Sequence, residues 1–164
     1  MKMAMNTEFA LIARMFQTNA KVFEKALAGI PDEKWLACPH DSSNHLNWIA
    51  GHVIVMRSLV PRMLGQEWSA PWEKLYARGA KLESPEAYPS AAELRRAWHE
   101  VSDKLSATLA NVSAESLERP APQPEFSLDG KVSGAIATLS LHETYHVGQA
   151  GYLRKLLGYG QTVG

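Results

Sequence analysis

The chain has 164 residues, 46% of them apolar and 21% charged, which fits one globular domain over residues 1–164 and excludes a disordered segment. Seventeen basic and seventeen acidic side chains cancel, so no overall field draws the protein to phosphate backbones or anionic lipid, and neither nucleic acid nor membrane is expected as a partner. Cys38 is the single cysteine, which removes an internal disulfide and any thiolate cluster and leaves histidine and carboxylate as metal ligands.

The N-terminal MKMAMNTEF lacks the apolar core and cleavage site of a signal peptide, and no stretch approaches the ~20 apolar residues of a membrane span. A cytoplasmic protein is expected. Phe9, Ile12, Phe16, Ala20, Phe23, Leu27 and Ile30 then recur at spacings of three and four, one face of a first helix that ends before Pro31. Leu46, Ile49, Val53, Met56, Val60 and Met63 repeat that period in a second helix, placed at about residues 43 to 64, with Asp41, Ser42, Ser43 and Asn44 as N-cap candidates.

After Gly65, the residues Trp68, Pro71, Trp72, Gly79, Pro85 and Pro89 interrupt any long helix, yet supply enough aromatic surface to lie against the body. This connection has room for one short helix. A third helix follows through Leu94, Trp98, Val101, Leu105, Thr108 and Val112, with Ser90 and Glu93 at capping-box spacing. Prolines 120, 122 and 124 break the chain. Val132, Ile136, Leu139, Ala150, Leu153 and Leu156 trace a fourth helix that stops near Gly158, and no segment demands a strand.

Four amphipathic helices, each with a stripe to bury, predict an all-α four-helix bundle. The connection between the second and third helices, about 25 residues, exceeds the two to eight usual between antiparallel neighbours. A long crossover of ~30 Å uses such a length and favours an up-down-down-up order. AGIPDEKW after the first helix also echoes ANVSAESL after the third, a modest sign of pseudo-twofold duplication.

The fourth helix carries LHETYHVGQ, so its apolar stripe runs onto His142, His146 and Gln149 where a core expects leucine. Burying an imidazole without partners costs on the order of 1 to 3 kcal/mol, so two in succession need a reason beyond packing. Residues four apart lie one turn above each other, close enough for both rings to reach one ion. His52 sits among Ile49, Val53 and Met56 on the inward side of the second helix and supplies a third imidazole. Three nitrogen ligands on rigid helices, without a fourth, describe a catalytic site with an open position more than a structural one. A chance pair of histidines satisfied by water or carbonyls is the bland alternative.

His142, Glu143, Thr144, Tyr145 and His146 also spell the H-E-x-x-H of zinc metalloproteases. Those enzymes take a third ligand downstream, whereas no His, Asp or Glu follows His146, so a protease is disfavoured. Glu143 is the candidate catalytic residue. It points about 100° from His142 and has three open roles: general base, partner of a ligand, or solvated side chain.

The histidine within WIAGHV on the second helix, with H-E-x-x-H-x-G-Q on the fourth, resembles the DinB/YfiT-like superfamily over essentially the whole chain. The resemblance implies a bundle of up-down-down-up order and a metal held by His52, His142 and His146. It further implies chemistry of the kind found in metal-dependent transferases that use a low-molecular-weight thiol such as bacillithiol or mycothiol, or in a maleylpyruvate isomerase.

Two functions are therefore carried forward. One is a metal-dependent S-transferase joining a small thiol cosubstrate to a small-molecule electrophile, with zinc or nickel as the divalent ion. The other is a non-catalytic metal- or ligand-binding stress protein, with a homodimer as its candidate assembly; a metal-dependent hydrolase is a variant of the first. His45, two turns before His52, is placed either at the pocket mouth or, preferably, in solvent. Asn47 and Trp48 are candidates to orient a substrate, with packing preferred for Trp48. Tyr145 is a candidate hydrogen-bond donor, Gln149 a candidate partner of a ligand or of the His146 ring, and His40 and His99 fall outside the constellation.

Overall fold

A computed structural model describes residues 7–40 and 43–163. Five α-helices order the chain: α1 (Thr7–Leu27), α2 (Leu46–Met63), α3 (Ala91–Asn111), α4 (Ala114–Glu118) and α5 (Val132–Leu156). Four are long, and α5 is the fourth helix expected from sequence. No strand forms among the described residues, which contain one isolated bridge between Pro120 and Lys131.

Packing follows the apolar stripes. Phe9, Phe16, Phe23, Leu27 and Ile30 of the first stripe are buried, and α1 lies along α5. Leu156 departs from expectation: it is half-exposed and faces away from the core stripe that ends at Leu153. The second helix is more deeply placed than a single stripe requires. Residues Leu46 to Val55 are all buried, because α2 packs on α3, on α5 and on the crossover segment. A helix covered on several sides reads as apolar nearly all round.

Local chemistry sets the ends. Ser90 and Glu93 complete the expected capping box of α3. At α2 the cap is His45, whose Nδ1 accepts the Trp48 backbone N–H at 3.0 Å. Of the expected caps, Asp41 and Ser42 lie outside the described residues, and Ser43 and Asn44 precede the observed one. His45 is thus buried as a cap and packed edge-on against Tyr88, not solvated.

The crossover contains two short 3-10 turns, Glu73–Tyr76 and Pro85–Ala87. Tyr76 is fully buried and donates its hydroxyl to Asn47 Oδ1 at 2.7 Å, while Asn47 Nδ2 donates to the Pro89 carbonyl. Asn47 therefore ties the crossover to α2. The short α4, capped by Ser113, was not expected from sequence; like the Asp32–Lys34 turn after α1, it ends by burying an apolar side chain, Leu117 in one case and Trp35 in the other. These are the aligned last residues of the two echoing segments.

Candidate metal centre

Three rings converge from α2 and α5. His52 Nε2 lies 3.3 Å from His142 Nε2, which lies 3.1 Å from His146 Nε2. The one group of potential ligand atoms among the described residues that lie within 4.8 Å of one another comes from His52, His142 and His146. The helical turn between residues 142 and 146 supplies two of the rings, and the packing of α2 on α5 supplies the third.

Neighbouring groups decide which nitrogens face inward. His52 Nδ1 is 2.7 Å from the Tyr76 carbonyl oxygen, which can only accept, so Nδ1 carries the proton. His146 Nδ1 donates likewise to Gln149 Oε1 at 2.7 Å, and Gln149 Nε2 donates to the Tyr145 hydroxyl. Two Nε2 lone pairs then point at His142 Nε2, where one proton can satisfy only one of them. Nitrogens about 2.0–2.1 Å from a tetrahedral ion lie about 3.3–3.4 Å apart, close to the spacing found here. The donor set fits a divalent cation better than it fits itself. His142 Nδ1 and Trp48 Nε1, both buried, have no hydrogen-bond partner among the described residues.

Electrostatics favour the ligating form. Burial, with His52 and the Arg78 guanidinium adding to it, pushes His142 down to about 4. Burial and the two neighbouring imidazoles take His146 to about 4 against the opposing hydrogen bond of Gln149. His52 is lowered by burial, against its bond to Tyr76. All three rings are neutral at pH 7, as metal ligation requires.

The crossover shapes the floor beneath His52. A Cβ on Gly51 would stand 2.2 Å from the Tyr76 ring, so only glycine lets that ring lie against α2 and present its carbonyl to His52. Trp48 covers the other side, stacked on His52 at 4.8 Å with 9° between planes. The stacking leaves Trp48 packing on the His52 ring, and packing is the role preferred for it.

Glu143 lies elsewhere. It is 2% exposed, which excludes the solvated role, and both its oxygens receive Arg57 Nη1, at 2.7 and 2.8 Å. Arg57 is itself buried, its guanidinium 4.4 Å from the Trp98 ring and 5.6 Å from that of Phe16. Burial pushes the Glu143 carboxyl upward while Arg57 and Asn19 pull it back. Its oxygens are not among the converging ligand atoms, and both are engaged by Arg57. Sequence reasoning missed Arg57, Tyr76 and Gly51; the signals available were an arginine amid the apolar residues of α2 and a glycine within that helix. His99 is exposed and lies outside the cluster, as does His40.

Comparison with known proteins agrees with this arrangement. The profile described as the DinB superfamily matches residues 15–150, a span that includes all three histidines. No protein of curated function matches the sequence.

Proposed function

We propose, from the premise that the chain belongs to the DinB superfamily, that it is a metal-dependent S-transferase using a low-molecular-weight thiol and a small electrophile. The carrying observation is the convergence of three neutral imidazoles with more lone pairs than protons. A divalent ion, zinc or nickel, held by the Nε2 atoms of His52, His142 and His146 would supply the acidity that turns a thiol or a water into its anion at neutral pH.

The chain's own groups hold and orient those ligands. Tyr76 and Gln149 fix the tautomers of His52 and His146, and Trp48 excludes water from one side of His52. Glu143 is assigned a positioning role, locking α5 to α2 through Arg57 beside the ligand His142. The up-down-down-up order belongs to the same proposal. Asn19 meets Ser140, and Arg154 reaches Ala26, pairings that run in the same direction along α1 and α5. Trp48 meets His146 whereas Arg57 meets Glu143, which runs α2 against α5.

Thiol transfer ranks above hydrolysis through the family likeness alone; with the only cysteine, Cys38, exposed and outside the cluster, the sulfur in that reading would come from a cosubstrate. The test incubates metal-loaded protein with glutathione, bacillithiol, mycothiol or coenzyme A and a reactive electrophile. Metal-dependent adduct formation and a thiol-induced change in the cobalt-substituted spectrum are expected. A spectrum indifferent to every thiol would overturn the transferase reading and leave the hydrolytic and non-catalytic ones.

A further inference from the structure

Two loops distant in sequence meet at the edge of the metal centre. The crossover turns sharply just after Tyr76: the Ala80 N–H donates to the Ala77 carbonyl at 3.0 Å, Gly79 takes φ 78°, and Arg78 stands at the corner. The loop before α5 is closed at its base, where Pro120 bridges Lys131 and the Ala121 N–H donates to the Gly130 carbonyl at 2.9 Å. From it the turn Pro124–Phe126 packs on α5. The loops touch through Arg78 and Phe126, the guanidinium carbon lying 5.5 Å from the ring centroid.

Arg78 belongs to the centre by position. It follows Tyr76 by two residues, the Tyr76 carbonyl holds His52 Nδ1 at 2.7 Å, and the guanidinium is near enough for its charge to act on the His142 ring. Arg57, Arg62 and Arg95 each meet a carboxylate, whereas exposed Arg78 makes no ion pair among the described residues. The face of Phe126 attracts the guanidinium charge without using any of its N–H donors. Its fork is therefore ordered by one contact and free to bind.

Charge says what the fork is for. The three imidazoles are neutral, and Glu143, next to His142 in the chain, is engaged by Arg57. With a divalent ion on these ligands, two further positive charges stand near Arg78, and the ligand group contains no carboxylate to offset them. Like charges held close are unfavourable unless an anion joins them. A planar carboxylate fits a guanidinium with two parallel N–H to oxygen bonds. Phe126, half-exposed beside it, offers apolar surface to the carbon skeleton that carries the acid.

We infer that Arg78 selects the substrate at this centre, binding the carboxylate of a small acid that reaches the metal. The inference rests on the proposed metal-dependent reaction and narrows its reactants to a thiol or an electrophile that bears a carboxylate.

The experiment is isothermal titration calorimetry of the zinc-loaded full chain with two pairs of probes, 3-mercaptopropionate against 3-mercaptopropanol and benzoate against benzyl alcohol. The wild type should prefer the acid by about tenfold or more in at least one pair, the order of a charge-assisted pair. Arg78→Ala should lose that preference with its zinc content unchanged, Arg78→Lys should keep only part of it, and Arg96→Ala on the outer face of α3 should keep all of it. Selection within the thiol pair puts the carboxylate on the cosubstrate, and selection within the thiol-free pair puts it on the electrophile. Equal binding of acid and alcohol in both pairs, or a preference that survives Arg78→Ala, would overturn the inference. A cobalt spectrum that no thiol changes would sink the transferase reading alone, because the benzoate pair still decides the role of Arg78.

Discussion

Adjacent residues of α5 belong to two polar constellations of opposite character. Glu143 meets Arg57 with both carboxylate oxygens engaged, in a pocket walled by Phe16 and Trp98. His142 meets two other imidazoles and lacks a partner for Nδ1 among the described residues. The first constellation sets a donor against an acceptor within the chain, although Arg57 Nε has no partner among the described residues. The second gathers more acceptors than its protons can satisfy. Burial alone therefore does not separate a structural polar cluster from a functional one; the balance of donors and acceptors does.

The largest expected effect breaks the first constellation. Glu143→Ala should cost about 3–5 kcal/mol, because it leaves the Arg57 guanidinium buried and uncompensated. Replacing both partners, Arg57→Met with Glu143→Leu, should recover most of that loss, and urea unfolding of the three chains measures it. Next comes Gly51→Ala, where the added methyl meets the Tyr76 ring; overpacking of this kind costs about 1–3 kcal/mol. It should also weaken metal binding by moving the carbonyl that orients His52, an effect read by metal titration.

The second constellation should respond in affinity more than in stability. Gln149→Ala should lower metal affinity about 10- to 100-fold by releasing the His146 ring, with metal-free stability changed by no more than about 0.5 kcal/mol. Competition titration with a chromogenic chelator, alongside thermal melts of metal-free protein, separates the two. Finally, His45, His142 and His146 titrate near 4 when folded against an ordinary 6.5. Between those values the unfolded chain binds more protons, so stability should fall as pH drops from 6.5 and stop falling on their account below about 4. Melting temperatures of metal-free protein from pH 4 to 8 check the slope, and His45→Asn, which keeps a capping oxygen, should flatten it.

Much of the bundle was legible because the periodic apolar residues of four helices are local signals. So was the histidine cluster, since His52, His142 and His146 interrupt stripes that packing would fill with leucine. What escaped is what depends on distant segments. Arg57 and Glu143 are far apart in sequence, and nothing local shows that each cancels the other's burial cost. The Tyr76 carbonyl is a backbone group and leaves no mark in the sequence beyond Gly51, whose missing side chain makes room for the Tyr76 ring. The cap of α2 was missed because histidine is an unusual capping residue, and serines and aspartate stood just before it. Period alone places Leu156 inward, and period cannot tell the core stripe from the half-exposed residues beside it.

Elemental analysis of the full chain, purified without a histidine tag or added metal, tests the metal centre most directly. One divalent ion per chain is expected in the wild type, falling to a small fraction in His52→Ala and in His142→Ala while both remain folded. A wild type free of metal that takes up none on titration, or a His52→Ala chain with undiminished content, would contradict a centre shared by α2 and α5.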